Sequence, residues 1–225
     1  MKDALAFLHT AQVHVPTFER LVRRIEPGLR VRHVVREELL ADARVVGVDD
    51  AGLVSRVHEA MHEAASEGAK VVVCTCSTIG AIAERTPTGD AFRALRIDRA
   101  MADQAVRTGP RVLIAAALES TLAPTKALVL SAAQDAGIAV QPAVLFVEDA
   151  WPHFEAGDSV RYIETLASAI RAASAEADVV VLAQASMAPV ADALADLGID
   201  VLSSPEPGTA HAVALAAAAL TLSRL

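Results

Sequence analysis

The sequence predicts an α/β fold with two pseudo-symmetric lobes, each a mainly parallel sheet flanked by helices. Short β-branched runs alternate with alanine-rich segments of helix length. The clearest runs are VVVCT at 71, RVLIAA at 111, VVVLA at 179 and IDVLSS at 199. Apolar runs of about four to eight residues between helices are typical of parallel strands buried on both faces. This alternation indicates the fold class, and an internal repeat indicates the two lobes.

The repeat is visible when the chain is aligned with itself at a fixed shift. VVVCTCST, residues 71–78, aligns with VVVLAQAS, residues 179–186, at a shift of 108 residues. The same shift places PTFERL, from Pro16, on PTKALV, from Pro124. Two separate segments that agree on one shift indicate a duplicated unit.

A third pairing supports the duplication and helps to divide the chain. PGLRV, from Pro27, meets AGIAV, from Ala136, at a shift of 109, which a loop of different length can absorb. We therefore predict a first lobe formed by residues 1–100 with 211–225, and a second lobe formed by residues 101–210.

Composition and charge exclude several classes of function. The 225 residues are 53% hydrophobic, and the formal net charge of −8 is spread along the chain without a basic stripe. No nucleic-acid partner is therefore expected. The start MKDALAFLHTAQ is neither a signal peptide nor a membrane span, so we expect a cytoplasmic protein without a membrane partner. The apolar helices favour a homodimer or higher homo-oligomer.

The only two cysteines, Cys74 and Cys76, lie where the strand at 71 ends. Residues two apart on a strand face the same side, so Cys74 is expected deeper in the core and Cys76 at the strand end. Ser77 and Thr78 are good N-cap residues for the helical run IGAIAERT, and a thiol at a helix N-terminus favours the thiolate form. Cys76 is therefore the candidate reactive residue. Free cysteines are also often simply buried, which is the alternative for both.

A metal site is a weaker interpretation of these residues. Cys-x-Cys supplies two soft ligands, but a zinc site needs about two more. His58 and His62 are four apart on a predicted helix, among charged residues typical of a solvated face. We expect neither a metal nor a cofactor.

His9 and Thr10 follow the first strand-like run, ALAFL, where a second functional loop of the first lobe is expected. His9 could hold a substrate carboxylate, keep Cys76 deprotonated, or cap the following turn. By the repeat, Ser120 and Thr121 are the corresponding polar residues of the second lobe. Hydroxyl and N–H groups there could bind a carboxylate and the enolate formed from it.

The motifs CST at 76, STLAPT at 120 and LAQASM at 182, within duplicated halves, resemble the aspartate/glutamate racemase superfamily. That superfamily includes hydantoin racemases, maleate cis-trans isomerases and arylmalonate decarboxylases. The resemblance implies two cysteines on either side of the α-carbon of a small carboxylate, without metal or cofactor. Cys76 matches the first cysteine, but Gln184 occupies the place of the second. A Gln cannot exchange a proton near neutral pH.

The resemblance therefore implies a cofactor-independent racemase- or isomerase-type enzyme for an amino acid or dicarboxylic acid, with one cysteine as acid, base or nucleophile. A decarboxylase of the same superfamily, a non-catalytic carboxylate-binding protein and a redox couple of Cys74 and Cys76 are the alternatives. Besides Cys76, the predicted substrate-binding residues are His9, Thr10, Ser77, Thr78, Ser120, Thr121, Gln184, Ala185 and Ser186.

Overall fold

The structure is a computed structural model that describes residues 4–222, with the side chain of Leu222 left out. The chain divides into two compact units. Unit 1 lies within residues 1–97 and 205–225, and unit 2 is Asp98–Ser204. The chain passes from one unit to the other between residues 97 and 98 and between residues 204 and 205. The sequence-based division instead uses residues 100 and 210.

Unit 1 contains a four-stranded sheet in the order β2-β1-β3-β4, and its neighbouring strands are all parallel. These strands are β1 (Leu5–His9), β2 (Val31–Val35), β3 (Val71–Cys74) and β4 (Arg93–Arg96). The helices of unit 1 are α1 (Val15–Ile25), α2 (Glu37–Val46), α3 (Ala51–Ala65), α4 (Gly80–Glu84) and the last helix of the chain, α10 (Pro205–Leu222).

Unit 2 repeats this arrangement, with a parallel sheet in the order β6-β5-β7-β8. Its strands are β5 (Arg111–Ala116), β6 (Gln141–Phe146), β7 (Val179–Leu182) and β8 (Asp200–Ser203). Its helices are α5 (Arg99–Thr108), α6 (Glu119–Ala136), α7 (Trp151–Glu155), α8 (Ser159–Ala173) and α9 (Val190–Ala193). The identical strand order confirms the predicted α/β fold with two lobes from a duplication.

The central strands are buried on both faces, as their uninterrupted apolar runs predict. Along β5, Val112 and Ile114 belong to one hydrophobic cluster of unit 2, whereas Leu113 and Ala115 belong to the cluster on the opposite face. This alternation follows from the two-residue period of a strand. A sheet covered by helices on both faces leaves its strand ends as the places where polar side chains gather.

Several helix ends show the local sequence rules directly. Asp50 precedes α3, and its carboxylate accepts a hydrogen bond from the backbone N–H of Leu53. In the same way, Asp158 precedes α8 and accepts from the backbone N–H of Arg161. Such caps satisfy N–H groups that have no partner inside the helix. After α6, Gly137 has a left-handed conformation (φ 67°), which glycine adopts without steric cost.

Within residues 4–222, no helix is both long and apolar enough to cross a lipid bilayer.

Candidate functional site

His9, the last residue of β1, is completely buried, and both of its ring nitrogens have hydrogen-bond partners. Nδ1 lies 2.9 Å from the Thr75 hydroxyl, and Nε2 lies 2.8 Å from Nδ1 of His33. The ring also stacks on Phe7, at a centroid distance of 5.8 Å. His9 is therefore held between the first residue after β3 and the middle of β2.

The chain of hydrogen bonds continues to the surface of unit 1. Nε2 of His33 lies 3.0 Å from Oε2 of Glu19, a half-buried residue of α1 that also pairs with Arg23 at 2.7 Å. The four side chains Thr75, His9, His33 and Glu19 thus form a continuous relay from the strand-end loop to solvent. Each hydrogen bond of this relay joins residues that are far apart in the sequence.

Both histidines of this relay are neutral. Burial, with smaller contributions from the nearby His33 and His14, lowers the pKa of His9 to about 3. Burial also lowers the pKa of His33, against the opposing effect of Glu19. With neutral rings, His9 donates through Nε2–H to His33, and His33 donates through Nε2–H to the Glu19 carboxylate. The Thr75 hydroxyl then has two acceptors within reach, Nδ1 of His9 and the Leu8 carbonyl at 3.2 Å.

This geometry bears on the three roles considered for His9. A neutral ring carries no charge for a substrate carboxylate, and its two nitrogens are already engaged within unit 1. Fixing the end of β3 through Thr75 is the role that these contacts favour. His33 was not among the predicted site residues, although the period of a strand places it two residues from Val35, the partner of His9 in the sheet.

The two cysteines have different environments. Cys74 is fully buried in the core of unit 1, and its Sγ lies 3.6 Å from the carbonyl oxygen of Cys76. Cys76, two residues beyond, is partly exposed at the carboxyl end of β3. The predicted difference in burial between the thiols is confirmed, and Cys76 is the one that solvent reaches.

The prediction that Ser77 and Thr78 cap the following helix is wrong. A turn spans residues 77–79, the N-cap residue is Ile79, and α4 begins at Gly80 without a side-chain cap. Since α4 has only five residues, the helix-dipole argument for a Cys76 thiolate loses its basis.

Ser77 and Thr78 are nevertheless buried within this turn. The Ser77 hydroxyl has no hydrogen-bond partner among residues 4–222. Its carbonyl oxygen lies 3.4 Å from a terminal guanidinium nitrogen of Arg96. Both residues thus remain next to Cys76, but the structure gives them no capping function.

Arg96, the last residue of β4, is buried and was not among the predicted site residues. A methyl group added at Gly80 would lie 3.1–3.2 Å from its guanidinium group, so the absent side chain at that position leaves room for Arg96. Arg96 therefore packs against the turn after Cys76 and places positive charge there. No strand was predicted from the sequence at this place, because RALR is not an apolar run.

In unit 2, the residue at the place of Cys76 is Gln184, which is 8% exposed. Its Oε1 accepts hydrogen bonds from two successive backbone N–H groups, those of Ala117 at 2.7 Å and Leu118 at 3.1 Å. These N–H groups follow β5 directly. Gln184 therefore links the ends of β5 and β7.

The other predicted residues of unit 2 lie in the same region. Ala185 and Ser186 belong to a short 3-10 helix, Ala185–Met187, and the Ser186 hydroxyl lies 2.9 Å from the Tyr162 hydroxyl. Burial raises the pKa of Tyr162 to about 12. Ser186 is thus engaged with a neutral phenol.

Ser120 and Thr121 lie in the first turn of α6. Thr121 is buried, and its hydroxyl has no partner among residues 4–222; the same holds for Thr125, one helical turn later. The predicted residues thus gather in two sets, one at the ends of β1 and β3 and one at the ends of β5 and β7. In each unit these two strands are neighbours in the sheet.

His58 and His62, the candidate chelating pair, both lie on α3. Nε2 of His62 lies 2.9 Å from the Pro87 carbonyl oxygen, so this nitrogen already has a hydrogen-bond partner. Among residues 4–222, no three His, Cys, Asp or Glu side chains are arranged to hold a metal ion.

No protein-family model matches the chain, and no curated protein sequence is significantly similar to it. Solved structures are similar in fold. Aspartate racemase from Picrophilus torridus matches with a TM-score of 0.70 and 16% identity, over 95% of this chain and 94% of that one. Allantoin racemase from Pseudomonas fluorescens matches with a TM-score of 0.59 and 16% identity, over 98% and 92%.

A variant of arylmalonate decarboxylase matches with a TM-score of 0.58 and 15% identity, over 95% of this chain and 93% of that chain. The sequence resembles the aspartate/glutamate racemase superfamily, and these structures confirm that resemblance at the level of the fold.

Proposed function

We propose that the protein is a cofactor-independent enzyme of racemase or isomerase type that acts on a small carboxylate, with Cys76 as its single acid/base residue. The observation that carries the proposal is the asymmetry between equivalent positions. Cys76 is a partly exposed thiol at the end of β3, whereas Gln184, at the end of β7, has its carboxamide oxygen engaged with backbone N–H groups.

The chemistry follows from the groups present. The Cys76 thiolate takes the proton from the carbon next to the substrate carboxylate, and the electron pair of the broken C–H bond moves onto the carboxylate oxygens. The thiol then returns a proton to the same carbon. Gln184, the equivalent residue of unit 2, is not a proton carrier, because a carboxamide does not ionise near neutral pH.

The surroundings of Cys76 support this assignment. Arg96 packs against the turn of residues 77–79 that follows Cys76, with a guanidinium nitrogen 3.4 Å from the Ser77 carbonyl oxygen. The relay through Thr75 and His9 fixes the end of the strand that carries Cys76. An acid/base group needs such fixed positioning, because misplacement by about 1 Å reduces the rate about 100-fold.

Decarboxylation is the second candidate reaction, favoured by the structural similarity to arylmalonate decarboxylase. It requires the same stabilised carbanion but forms it by loss of CO2 instead of a proton. The protonation that follows would again come from Cys76.

A substrate panel tests the proposal. Amino acids and dicarboxylic acids would be incubated with the protein, and optical rotation, cis-trans isomerisation and CO2 release would be followed. We expect turnover of at least one compound, and Cys76→Ala should reduce it by about 100-fold or more. Cys74→Ala is the matched control and should retain turnover. Tight binding of a carboxylate without any reaction would instead indicate a binding protein.

A further inference from the structure

We propose that the backbone N–H groups of Thr10 and Ala11 form an oxyanion site beside Cys76, which binds a carboxylate oxygen of the substrate. The choice of a carboxylate as the ligand rests on the proposed function. The site itself rests on the comparison of equivalent positions in the two units.

The hydrogen bonds of the two sheets define which residues are equivalent. Thr75 N–H donates to the Leu8 carbonyl at 2.9 Å in unit 1, and Ala183 N–H donates to the Ala115 carbonyl at 2.9 Å in unit 2. Leu8 therefore corresponds to Ala115, and Thr75 corresponds to Ala183. The hydrogen bonds to the strand on the other side, β2 or β6, agree with this alignment. The carbonyls of His9 and its counterpart Ala116 each accept a hydrogen bond from the backbone N–H of the first residue after that strand.

The residues that follow are equivalent by the same alignment. Thr10 corresponds to Ala117, Ala11 corresponds to Leu118, and Cys76 corresponds to Gln184. The backbone of Ala11 (φ −156°, ψ 130°) and that of Leu118 (φ −118°, ψ 126°) are both extended, and each residue precedes a helical turn.

In unit 2, the two N–H groups after β5 are occupied by an oxygen atom of the protein. Gln184 Oε1 accepts from Ala117 N–H at 2.7 Å and from Leu118 N–H at 3.1 Å. Donors at about 2.7–3.1 Å from one oxygen are the geometry of an oxyanion hole. The Gln184 carboxamide thus shows what this pair of N–H groups binds.

In unit 1, the corresponding pair has no such occupant. Neither Thr10 N–H nor Ala11 N–H has an acceptor among residues 4–222. Thr10 is only 7% exposed, and buried N–H groups normally have a partner. Cys76, at the place of Gln184, is shorter and has no oxygen atom in its side chain. A ligand oxygen bound there would lie beside the thiol.

The next N–H group of this loop already binds a carboxylate. Gln12 N–H donates to Oε1 of Glu37 at 3.1 Å, and Glu37 is the first residue of α2. Three successive N–H groups thus follow β1, and the last of them is already bound by a carboxylate oxygen of the protein itself. Such consecutive N–H groups favour anions.

The site explains how one thiol could suffice for proton abstraction. When the Cys76 thiolate takes the α-proton, negative charge grows on the carboxylate oxygen, and the N–H groups of Thr10 and Ala11 stabilise it. Removing one such donor in an enzyme costs about 100-fold or more in rate. In unit 2 the equivalent pair cannot serve a substrate while Gln184 occupies it.

Two variants at position 76 test the site without relying on activity. Cys76→Ala removes the thiol and leaves the N–H pair open, whereas Cys76→Gln copies the arrangement of unit 2 and fills the pair. Malonate and acetate binding would be measured by calorimetry. We expect Cys76→Ala to bind malonate as wild type does, within about threefold, and Cys76→Gln to bind it about tenfold or more weakly.

Equal malonate affinity in the two variants would overturn the site, and so would absence of binding by wild type and Cys76→Ala. If Cys76→Gln fails to fold, amide NMR of the wild type provides the test. Titration with malonate should shift the Thr10 and Ala11 signals and leave those of Ala117 and Leu118 in place. Unmoved Thr10 and Ala11 signals would contradict the site, whereas shifted signals without turnover of any acid would contradict only the proposed enzymatic function.

Discussion

At the scale of single residues, the strongest contrast is between two thiols that are two positions apart. Cys74 is enclosed by the core of unit 1, and Cys76 is partly exposed. The two-residue period of a strand is sufficient to predict this order, because it places both side chains on one face with Cys76 nearer the end.

The thiols should therefore differ in chemical reactivity. Iodoacetamide at neutral pH should label Cys76 first, since labelling of Cys74 requires opening of the core. Mass spectrometry of tryptic peptides after timed quenching measures the order, and a small carboxylate should slow the labelling of Cys76. Faster labelling of Cys74 would count against the assignment of Cys76 as the reactive residue.

His9 should make the stability of the fold depend on pH. Its pKa is lowered from 6.5 to about 3 in the folded state, so unfolding takes up a proton at intermediate pH. The stabilisation is fully present above pH 6.5 and is lost as the pH falls toward 3. Between pH 8 and pH 5 the loss is about 2 kcal/mol from His9 alone.

Urea denaturation of wild type and His9→Gln at pH 8 and pH 5 measures how much His9 contributes to the pH dependence of the free energy of unfolding. The variant should be less stable at pH 8 and should lose less stability between pH 8 and 5. Equal pH dependence in the two proteins would show that His9 does not titrate as described.

The contacts of these residues show what sequence reasoning could not reach. His9 and Cys76 were identified because they follow apolar runs, and strand ends can be recognised locally. His33 and Glu19 were missed, because their contacts with His9 depend on the register of β2 against β1 and on how α1 packs. Neither the register nor the packing can be read from one sequence.

At the scale of elements, the repeat was predictable because its strongest segment is a strand. Val71 and Val179 both open the third strand of their sheets, at the predicted shift of 108 residues. Around the second strands the predicted shift of 109 is not kept, since Val31 and Pro142 hold equivalent places opposite Leu5 and Val112. The loops before these strands differ in length, which an alignment of short apolar runs cannot detect.

Helix beginnings were harder to predict than strand ends. Ser77 and Thr78 have the composition of an N-cap, yet α4 begins at Gly80. Hydroxyl residues suit a turn as well as a cap, and the length of a turn is decided by how the next helix packs. In this case Arg96 lies against Gly80, where an added methyl group would be only 3.1–3.2 Å from its guanidinium group.

Gln184 connects two elements, and its removal should measure that connection. Gln184→Ala leaves the N–H groups of Ala117 and Leu118 without their acceptor. Each buried N–H left unpaired costs about 1–3 kcal/mol, so the variant should lose about 2–4 kcal/mol of stability, depending on how far water replaces the side chain. Chemical denaturation gives the value.

Cys76→Ala is the control for the Gln184 substitution, since Cys76 holds the equivalent place without such bonds. It should change the stability by less than about 1 kcal/mol. A Gln184→Ala variant as stable as the wild type would contradict the structural role of the side chain.

At the scale of the whole molecule, the fold class and the duplication were available from the sequence, because both depend on the period and spacing of apolar runs. The similarity to solved racemase and decarboxylase structures extends over nearly the whole chain at 16% identity or less in the three described. The fold is therefore similar although most residues differ. In this chain, Gln184 has a structural role, since its side chain links the ends of β5 and β7.

The asymmetry between the units leads to the central claim, that one thiol exchanges protons with the substrate. A single base returns a proton to the face from which it was removed, unless the substrate turns over in the site. Proton exchange with solvent should therefore be faster than inversion of the α-carbon.

The most direct measurement compares both rates in one experiment. A chiral acid that the protein accepts would be incubated in heavy water, with deuterium incorporation followed by NMR and inversion by circular dichroism. The account predicts that exchange exceeds inversion by about tenfold or more and that Cys76→Ala abolishes both. Equal rates of exchange and inversion in the wild type, or exchange that persists in Cys76→Ala, would contradict it.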